Sequence, residues 1–321
     1  MRTLIALSVA VLSCFAGPIV QESAQQPSEL LTTAYAVDLS VPVTVAGFQC
    51  IKNNYYSVAF IRAYAPTGSG IVDAYACANI QNANSAGVGT EVYMTPQPSS
   101  SKTGATQFDE MYNNLRNSNI NVRSIWVQVR VAFVRFDNTL MISKGHFFLF
   151  SPSSSRTSFF SYGIPTRTAA KRKIQKVTSP VNWYASSTTN INFLNSILSR
   201  ASQYGLSVGI YTNSYEWSQI TGGATITNAQ LWYWNTNGAG VANESPANYN
   251  DFRSFGGWSS PSVKQFAQVE SVCGLTVNRD IYTSSTSLVA GMARREKGDQ
   301  ITVGGLGLGG AALSGAAEIE Q

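Results

Sequence analysis

Three acidic side chains lie at or near short apolar segments of the kind that form β-strands. Asp38 ends the segment AYAVDLS almost at its last residue, Glu91 begins EVYMT, and Asp280 lies within NRDIY. A positioned carboxyl group can donate a proton to a reacting bond or accept one, provided that its surroundings bring its pKa near the working pH. We therefore predict Asp38, Asp280 and Glu91 as the candidate catalytic residues.

Each of these carboxyl groups also has a purely structural interpretation. Asp38 could cap the helix that Pro42 begins, because Asp is a favoured N-cap residue. Glu91 could form an ion pair with Arg62 on the neighbouring strand, because buried charges are normally paired. Asp280 could line a cleft or simply help to close the fold through hydrogen bonds. The sequence leaves both interpretations open for each residue.

Composition argues against several other kinds of catalytic site. The chain has a single histidine, His146, which argues against a Ser-His-Asp triad, a Cys-His pair and a histidine-based metal site. Its four cysteines lack the spacing of a metal site. We predict neither a metal ion nor a cofactor.

The elements that would position the carboxyl groups alternate between strand and helix. Strands are predicted at 35–40, 58–64, 91–95, 124–129, 207–212, 230–235, 263–269 and 278–282, and helices at 42–53, 72–87, 106–119, 190–205 and 215–220. Such alternation implies a parallel sheet with crossover helices. Residues 34–129 and 177–282 together suit one compact β/α barrel, whose active site would lie at the carboxyl ends of the strands.

The two ends of the chain differ from this central part. Residues 1–16 combine Arg2 with an apolar run and a small residue, a pattern typical of a cleaved secretory signal and too short for a membrane span. Residues 17–33 are polar and predict a loose leader. Residues 283–321 are rich in Gly and Ala and predict a disordered tail. We therefore expect a secreted, extracellular monomer without a membrane anchor.

Residues 130–176 form a basic segment without regular periodicity. They carry nine Lys or Arg residues against one acid, Asp137. The net charge of this segment alone therefore exceeds the net charge of +5 of the whole chain. The charge is therefore local, and we infer no nucleic-acid partner from it. A structureless loop of this length inside a compact domain argues that the segment is not part of the barrel. Codons for Val129 and Arg130 can match an intron donor, so we predict an insertion, with a retained intron as one hypothesis for its origin.

The order of several segments resembles glycoside hydrolase family 25, the Ch-type lysozymes, and especially its nematode lysozyme-like branch. The segments are AYAVDLS, VYMTPQP, IWVQ, VTSPVNW, GIYTNSYEW, AQLWYWN and VKQFAQVESVCGLTVNRDIY. This resemblance implies an irregular TIM-like β/α barrel in a single domain, covering residues 34–129 and 177–282. It also implies action on the glycan of bacterial peptidoglycan, next to N-acetylmuramic acid, in innate defence or digestion.

The resemblance also assigns positions in the site. The family's first strand ends in an Asp, which Asp38 matches, and its closing motif matches Asn278 and Asp280. The family's Asp-x-Glu pair falls on Gln128 and on Arg130, or on Thr178 if the basic segment is excised. Neither position holds a carboxyl group, and glutamine does not donate a proton to a leaving group. We expect weak hydrolysis, or binding of cell-wall glycan without hydrolysis.

A set of aromatic and neutral residues is predicted to bind the glycan. The set comprises Tyr93, Gln128, Tyr211, Trp232 and Trp234. The tryptophans could stack on sugar rings, or could fill the core while Tyr233 packs against a helix, because side chains alternate between the faces of a strand. Tyr211 could bond an N-acetyl group or merely pack.

The cysteines predict one disulfide bond. Cys50 lies in the first predicted helix and Cys273 just before the last strand. The first and last units of a closed barrel are neighbours, which brings these two cysteines within bridging distance. We therefore predict a Cys50–Cys273 disulfide and a free Cys77.

Overall fold

The chain is represented here by a computed structural model. The described residues are 32–130, 182–284, 300–305 and 315–320. The predicted signal at 1–16, the leader up to residue 31 and the basic insertion after Arg130 lie outside the described residues. Within the described residues, no helix is both long and apolar enough to span a membrane.

The described strands and helices follow the predicted alternation closely. In chain order the strands are β1 (Thr32–Leu39), β2 (Tyr56–Ala65), β3 (Ile71–Val72), β4 (Gly89–Met94), β5 (Ile120–Val122), β6 (Ser124–Gln128), β7 (Ser207–Thr212), β8 (Thr225–Thr227), β9 (Ala229–Trp234), β10 (Val263–Val272), β11 (Leu275–Ser284), β12 (Ile301–Val303) and β13 (Glu318–Glu320). The helices are α1 (Val45–Asn53), α2 (Ala76–Ala86), α3 (Gly104–Asn117), α4 (Ser187–Gln203) and α5 (Ser214–Thr221), with a single 3-10 turn at Val241–Asn243.

Eight of the described strands close into a barrel, which confirms the predicted fold class. Their order around the barrel is β1, β2, β4, β6, β7, β9, β10, β11 and back to β1. Neighbours are parallel except around β11, which runs antiparallel to both β10 and β1. The tight turn at Cys273 and Gly274, both with positive φ, explains this exception. A parallel connection needs a crossover of a dozen or more residues, which this turn cannot supply.

Side chains pack against both faces of the barrel wall. Inside the barrel lies an aromatic cluster made of Ala36, Val58, Phe60, Tyr93, Trp126, Tyr211, Trp232, Val263 and Tyr282. A larger apolar core fills the space between the wall and the helices. Gly209 on β7 makes room for the interior cluster, because a Cβ atom there would lie 2.2 Å from the Trp126 ring. The interior below the carboxyl ends of the strands is therefore filled, and the site must lie above it.

The predicted disulfide is confirmed. Cys50 of α1 and Cys273, in the turn between β10 and β11, are bonded with their Cα atoms 6.0 Å apart. The bond ties the first helix to the closing hairpin and thereby constrains the unfolded chain. Cys77 is free of any disulfide, as predicted, and lies partly buried against Asn114 of α3.

The prediction of disorder for residues 283–321 is wrong for the parts of this segment that the structure describes. Strand β12 pairs with β5 in parallel, and β13 pairs with β8 in an antiparallel register. Val303 is fully buried and Ile319 almost so. The short strands β5 and β8 have edges whose backbone N–H and C=O groups need partners. Strands β12 and β13 of the tail provide these partners and bury apolar side chains at the same time. The start of β1 likewise overlaps the predicted leader at residues 32 and 33.

Truncating a buried tail side chain should therefore lower stability. We expect Val303→Ala to reduce the free energy of unfolding by about 2 kcal/mol, because it removes two buried carbon atoms and leaves a cavity. Thr302→Ala, at the half-buried neighbouring position of the same strand, is the control and should cost well under half as much. Urea titrations of both variants measure the difference. Equal stability of Val303→Ala and the unmodified protein would mean that β12 does not belong to the folded core.

Candidate active site

The candidate site lies at the mouth of the barrel formed by the carboxyl ends of the parallel strands. Asp38 is the penultimate residue of β1, Gln128 ends β6 and Trp234 ends β9. Asp280 reaches the same region from the antiparallel β11, where it stands opposite Ala36 and Gln265. The mouth thus brings together four residues that the sequence predicted from separate segments.

Asp38 is held by two side-chain amides. The Gln265 amide nitrogen donates to Oδ2 at 2.5 Å, and the Asn278 amide nitrogen donates to Oδ1 at 2.9 Å. The helix-cap interpretation of Asp38 is wrong, because Thr44 caps α1 by accepting from the Gly47 backbone. The Asp38 side chain therefore faces the barrel mouth with both oxygens engaged, and it is 3% exposed, whereas the deeper Asp280 is fully inaccessible.

A network of polar side chains fixes which end of the Gln265 amide faces Asp38. Its oxygen accepts from the Tyr211 hydroxyl at 2.8 Å and from the Gln268 amide at 2.6 Å. Because that oxygen already has two donors, the amide nitrogen must point to Asp38. Tyr211 therefore acts on Asp38 through Gln265 and does not itself line the mouth.

Asp280 lies beneath Asp38 and is completely buried. Its Oδ1 accepts from the Trp232 indole nitrogen at 2.8 Å. Its Oδ2 is a buried oxygen without a hydrogen-bond partner among the described residues. If Oδ2 carries a proton, it can donate a hydrogen bond to the Asp38 carboxylate, and the oxygen then has a partner. Asp280 is too deep to line the cleft, so it cannot act directly on a substrate as the predicted catalytic residue, but it can act through Asp38.

Burial sets the protonation of this carboxyl pair. Burial raises the pKa of Asp38 from 3.8 to about 6, and this rise is opposed by the Asn278 and Gln265 bonds and by the charge of Arg130. Burial and then the charge of Asp38 raise the pKa of Asp280 well above its ordinary value. Two adjacent buried carboxyl groups cannot both ionise cheaply. Near neutral pH the pair therefore holds one proton, on Asp280, with the charge on Asp38.

Neutral and cationic side chains occupy the side of the mouth where the resemblance placed an acidic pair. Gln128 is half-buried, and its side-chain oxygen accepts from the Thr95 hydroxyl at 2.6 Å. Arg130 is also half-buried, and its guanidinium lies over the Trp234 ring, 5.3 Å from the centroid. Trp234 in turn donates its indole N–H to Glu216 at 2.8 Å. No acidic side chain stands at position 128 or 130.

Glu91 does not belong to the mouth. It is fully buried, accepts from the Trp126 indole at 2.9 Å and from Ser124 at 3.3 Å, and Ser124 begins β6 at the opposite end of the barrel. The backbone of Gly305 covers that end by donating to Ser124. The prediction of Glu91 as a catalytic residue is therefore wrong. The alternative ion pair with Arg62 is wrong as well, because Arg62 bonds Asp73 at 2.7 Å.

Three of the predicted sugar-binding aromatic residues are buried inside the barrel. Trp232 and Tyr211 are completely inaccessible, and Tyr93 is 4% exposed. Trp232 packs edge-on against Tyr211 with ring centroids 4.8 Å apart. These rings cannot stack on a sugar, so the packing interpretation holds for them. Trp234 and Gln128 remain partly accessible and can contact a ligand.

Three side chains at the mouth were not predicted from the sequence, Glu216, Gln265 and Gln268, and a fourth, Arg130, was noted only as a position where the family's acid is absent. Gln265 could have been found, because residues Val263 and Gln265 alternate toward the interior of β10. Arg130 was assigned to the basic insertion, and Glu216 lies in a short helix that carries no strand signal. The described residues contain no group of His, Cys, Asp and Glu side chains that could hold a metal ion.

Comparison with known proteins relates the sequence to lysozyme-like proteins. The family model described as "Lysozyme-like protein 1" matches residues 29–140 and 168–266. Lysozyme-like protein 1 of Caenorhabditis elegans is 48% identical over 78% of this chain and 68% of its own length. Lysozyme-like protein 7 of the same organism is 44% identical over 86% of this chain and 81% of its own length.

Solved structures show a similar fold at much lower sequence identity. A muramidase from Trichobolus zukalii superimposes with a TM-score of 0.51 and 14% identity, over 81% of this chain and 98% of that one. A family GH25 lysozyme from Aspergillus fumigatus gives a TM-score of 0.50 and 14% identity, over 82% of this chain and 100% of that one. The likeness at this identity concerns the fold.

Proposed function

This chain belongs to the lysozyme-like family of glycoside hydrolase family 25, and from this premise we propose that it binds the glycan of bacterial peptidoglycan and hydrolyses it slowly. The glycan would lie across the barrel mouth, against Asp38, Gln128 and Trp234. The observation that carries the proposal is the Asp38–Asp280 pair, which keeps a single negative charge at the mouth. The opposite side of the mouth has no carboxyl group at positions 128 and 130.

The chemistry of the mouth explains why the proposed hydrolysis is slow. Glycoside cleavage needs a negative group that stabilises the oxocarbenium-like transition state and an acid that protonates the leaving oxygen. Asp38 can supply the first, because its two amide donors and Asp280 favour its ionised form. The acid is the missing part, because Asp280 is completely buried and Gln128 does not donate a proton. Protonation of the leaving oxygen must then come from solvent.

A second candidate function is glycan binding without cleavage. It is favoured by Arg130, which stands where the resemblance places the family's general acid and holds a permanent charge there. Binding alone would still suit a role in defence or digestion.

The two candidate functions are separated by one pair of measurements. We expect purified peptidoglycan incubated with the protein to release reducing ends slowly, and Asp38→Asn to reduce this release to the level of the wall alone. Sedimentation with insoluble peptidoglycan should still capture the Asp38→Asn variant, because the remaining groups of the mouth are unchanged. Capture without release by the unmodified protein would establish the second candidate. Robust release that Asp38→Asn does not change would refute the assignment of the site.

We also propose that the protein is secreted. The pattern of residues 1–16 supports this, and so does the Cys50–Cys273 bond, because disulfides persist in oxidising compartments. N-terminal sequencing of protein from the culture medium of expressing cells tests it, with a start after residue 16 expected. Retention of the uncleaved chain inside the cells would contradict the proposal.

A further inference from the structure

Arg130 is held in a defined position at the mouth by contacts from three elements. Its backbone oxygen accepts from the Trp183 indole at 2.9 Å. Its guanidinium lies over the Trp234 ring, and its Nε stands 4.0 Å from Glu216 Oε1. The backbone of the arginine is thus fixed by a hydrogen bond, and its guanidinium lies over an indole ring and within ion-pair distance of a carboxylate.

Glu216 joins the guanidinium and the indole into one unit. Its Oε2 accepts the Trp234 indole N–H, while its Oε1 faces Arg130. The Glu216 side chain is only 3% exposed, whereas the Arg130 side chain is 23% exposed. The carboxylate that orients the arginine is therefore buried, and the arginine itself remains accessible from the mouth.

We propose that Arg130 binds a carboxylate group carried by the glycan, with Trp234 and Glu216 orienting its guanidinium. This inference rests on the proposed function, because it concerns the same mouth. A guanidinium is always charged and matches a carboxylate with two parallel N–H···O bonds. Orientation before binding reduces the entropy lost when the ligand is bound. The guanidinium also covers one face of Trp234, so at this point the mouth offers a cation in place of the expected aromatic surface.

Other charges near Arg130 determine the conditions of the test. It lies 4.0 Å from Glu216 of α5, and its charge also acts on Asp38 of β1 and on Tyr211 of β7, with Asp280 of β11 beneath Asp38. Ionised Asp38 would repel a second carboxylate. Titrations are therefore best made at about pH 5, below the pKa of Asp38 of about 6, where a sugar carboxylate is still ionised.

Two sources of carboxylate exist in peptidoglycan, and three probes separate them. The first is the disaccharide of N-acetylglucosamine and N-acetylmuramic acid, which carries the carboxylate on the sugar. The second is the same disaccharide with a dipeptide attached, which carries the carboxylate on the peptide instead. Diacetylchitobiose, which lacks the lactyl group, is the neutral reference. Dissociation constants can be obtained from nuclear magnetic resonance titrations at low salt.

We expect at least one of the two carboxylate probes to bind about tenfold more tightly than diacetylchitobiose. Arg130→Gln should remove this preference, so that the ratio of the dissociation constants for the neutral and the carboxylate probe approaches one. Arg130→Lys keeps the charge but loses the planar fork, and should lose several-fold in affinity for the carboxylate probe. The preferred probe identifies which carboxylate is bound.

Arg200→Gln is the matched control, because Arg200 also pairs with a carboxylate, Asp109, and lies over an aromatic ring, that of Tyr204. It belongs to the outer helix α4 and should leave all affinities unchanged. Equal affinity for the neutral and charged probes, or a loss in Arg130→Gln that is the same for both, would overturn the inference. Full affinity in Arg130→Lys would overturn the orienting role of Trp234 and Glu216. Binding of peptidoglycan without any carboxylate preference refutes only this inference, whereas no binding at all refutes the proposed function.

Discussion

Replacing Gln128 with Asp and Arg130 with Glu together should raise the rate of peptidoglycan hydrolysis by about a hundredfold, because a positioned general acid typically contributes this much or more. Both positions lie at the barrel mouth, and the structure places one at the end of β6 and the other two residues later. Asp38 already supplies the negative charge on the other side. The double substitution would complete the pair of acidic groups that glycoside cleavage requires.

Glu216 makes position 130 a favourable place for a proton donor. It stands 4.0 Å from the guanidinium of Arg130 and is almost completely buried. A glutamate introduced at 130 would therefore face a second carboxylate across a poorly solvated gap. Like charges at this distance keep one proton bound above the ordinary pKa of a carboxyl group. The introduced Glu can then hold the proton that the leaving oxygen needs.

The measurement is the initial rate of reducing-end release, with Gln128→Asn/Arg130→Gln as the matched control that changes the same positions without adding carboxyl groups. Adding Asp38→Asn to the activated variant should abolish the gain. Thermal melting must accompany the assay, since removing Arg130 leaves Glu216 without one of its partners and can destabilise the fold. A folded, glycan-binding double variant whose rate matches the control would show that Asp38 is not placed for catalysis.

The barrel itself was largely predictable from the sequence. Short apolar segments alternate with amphipathic ones, and this periodicity reports burial, which is the property that decides the fold. The Cys50–Cys273 bond followed from the closure of the barrel, and the structure confirms it. The direction of β11 did not follow, because periodicity is the same for parallel and antiparallel strands. Only the length of the connection at Cys273 and Gly274 distinguishes them.

The tail and the site show where sequence reasoning stops. Composition indicated disorder for residues 283–321. A strand of three residues such as Ile301–Val303 hardly affects the composition of this segment, yet it is long enough to pair with the edge of β5. In the site, the pairing of Arg62 with Asp73 depends on a loop that returns along β2. The depth of Asp280 beneath Asp38 depends on the antiparallel register of β11, which sets Asp280 opposite Ala36 and Asn278 opposite Asp38. Neither relation is contained in the spacing of the residues.

The Asp38–Asp280 pair should make the protein more stable at about pH 5 than at about pH 7.5, because both pKa values are raised by folding. The pKa of Asp38 is about 6 in the folded state and 3.8 as its ordinary value, so the folded protein binds more protons between these two values. The stabilising contribution of Asp38 is complete below pH 3.8 and is lost as the pH rises through about 6. Over this whole window the loss is on the order of 3 kcal/mol.

Asp280→Asn should remove a large part of the pH dependence. The amide oxygen can still accept from Trp232, and the amide nitrogen can donate permanently to Asp38, as protonated Asp280 does. The variant no longer has to take up a proton at position 280 when it folds, a requirement whose free-energy cost rises with pH in the unmodified protein. Between about pH 5 and about pH 7.5 we therefore expect the stability of the variant relative to the unmodified protein to increase by about 2 kcal/mol or more.

Unfolding of both proteins by guanidinium chloride at several pH values gives the difference between their free energies of unfolding as a function of pH. In this difference the contributions of carboxyl groups far from the pair cancel. The dependence of the difference on pH is the decisive feature. If Asp280 were ionised in the folded protein and only accepted from Trp232, replacing it would change the free energy of unfolding by the same amount at every pH in this range. A difference that grows in favour of the variant as the pH rises requires a proton on Asp280 in the folded protein, and thus a single charge on Asp38 at the mouth.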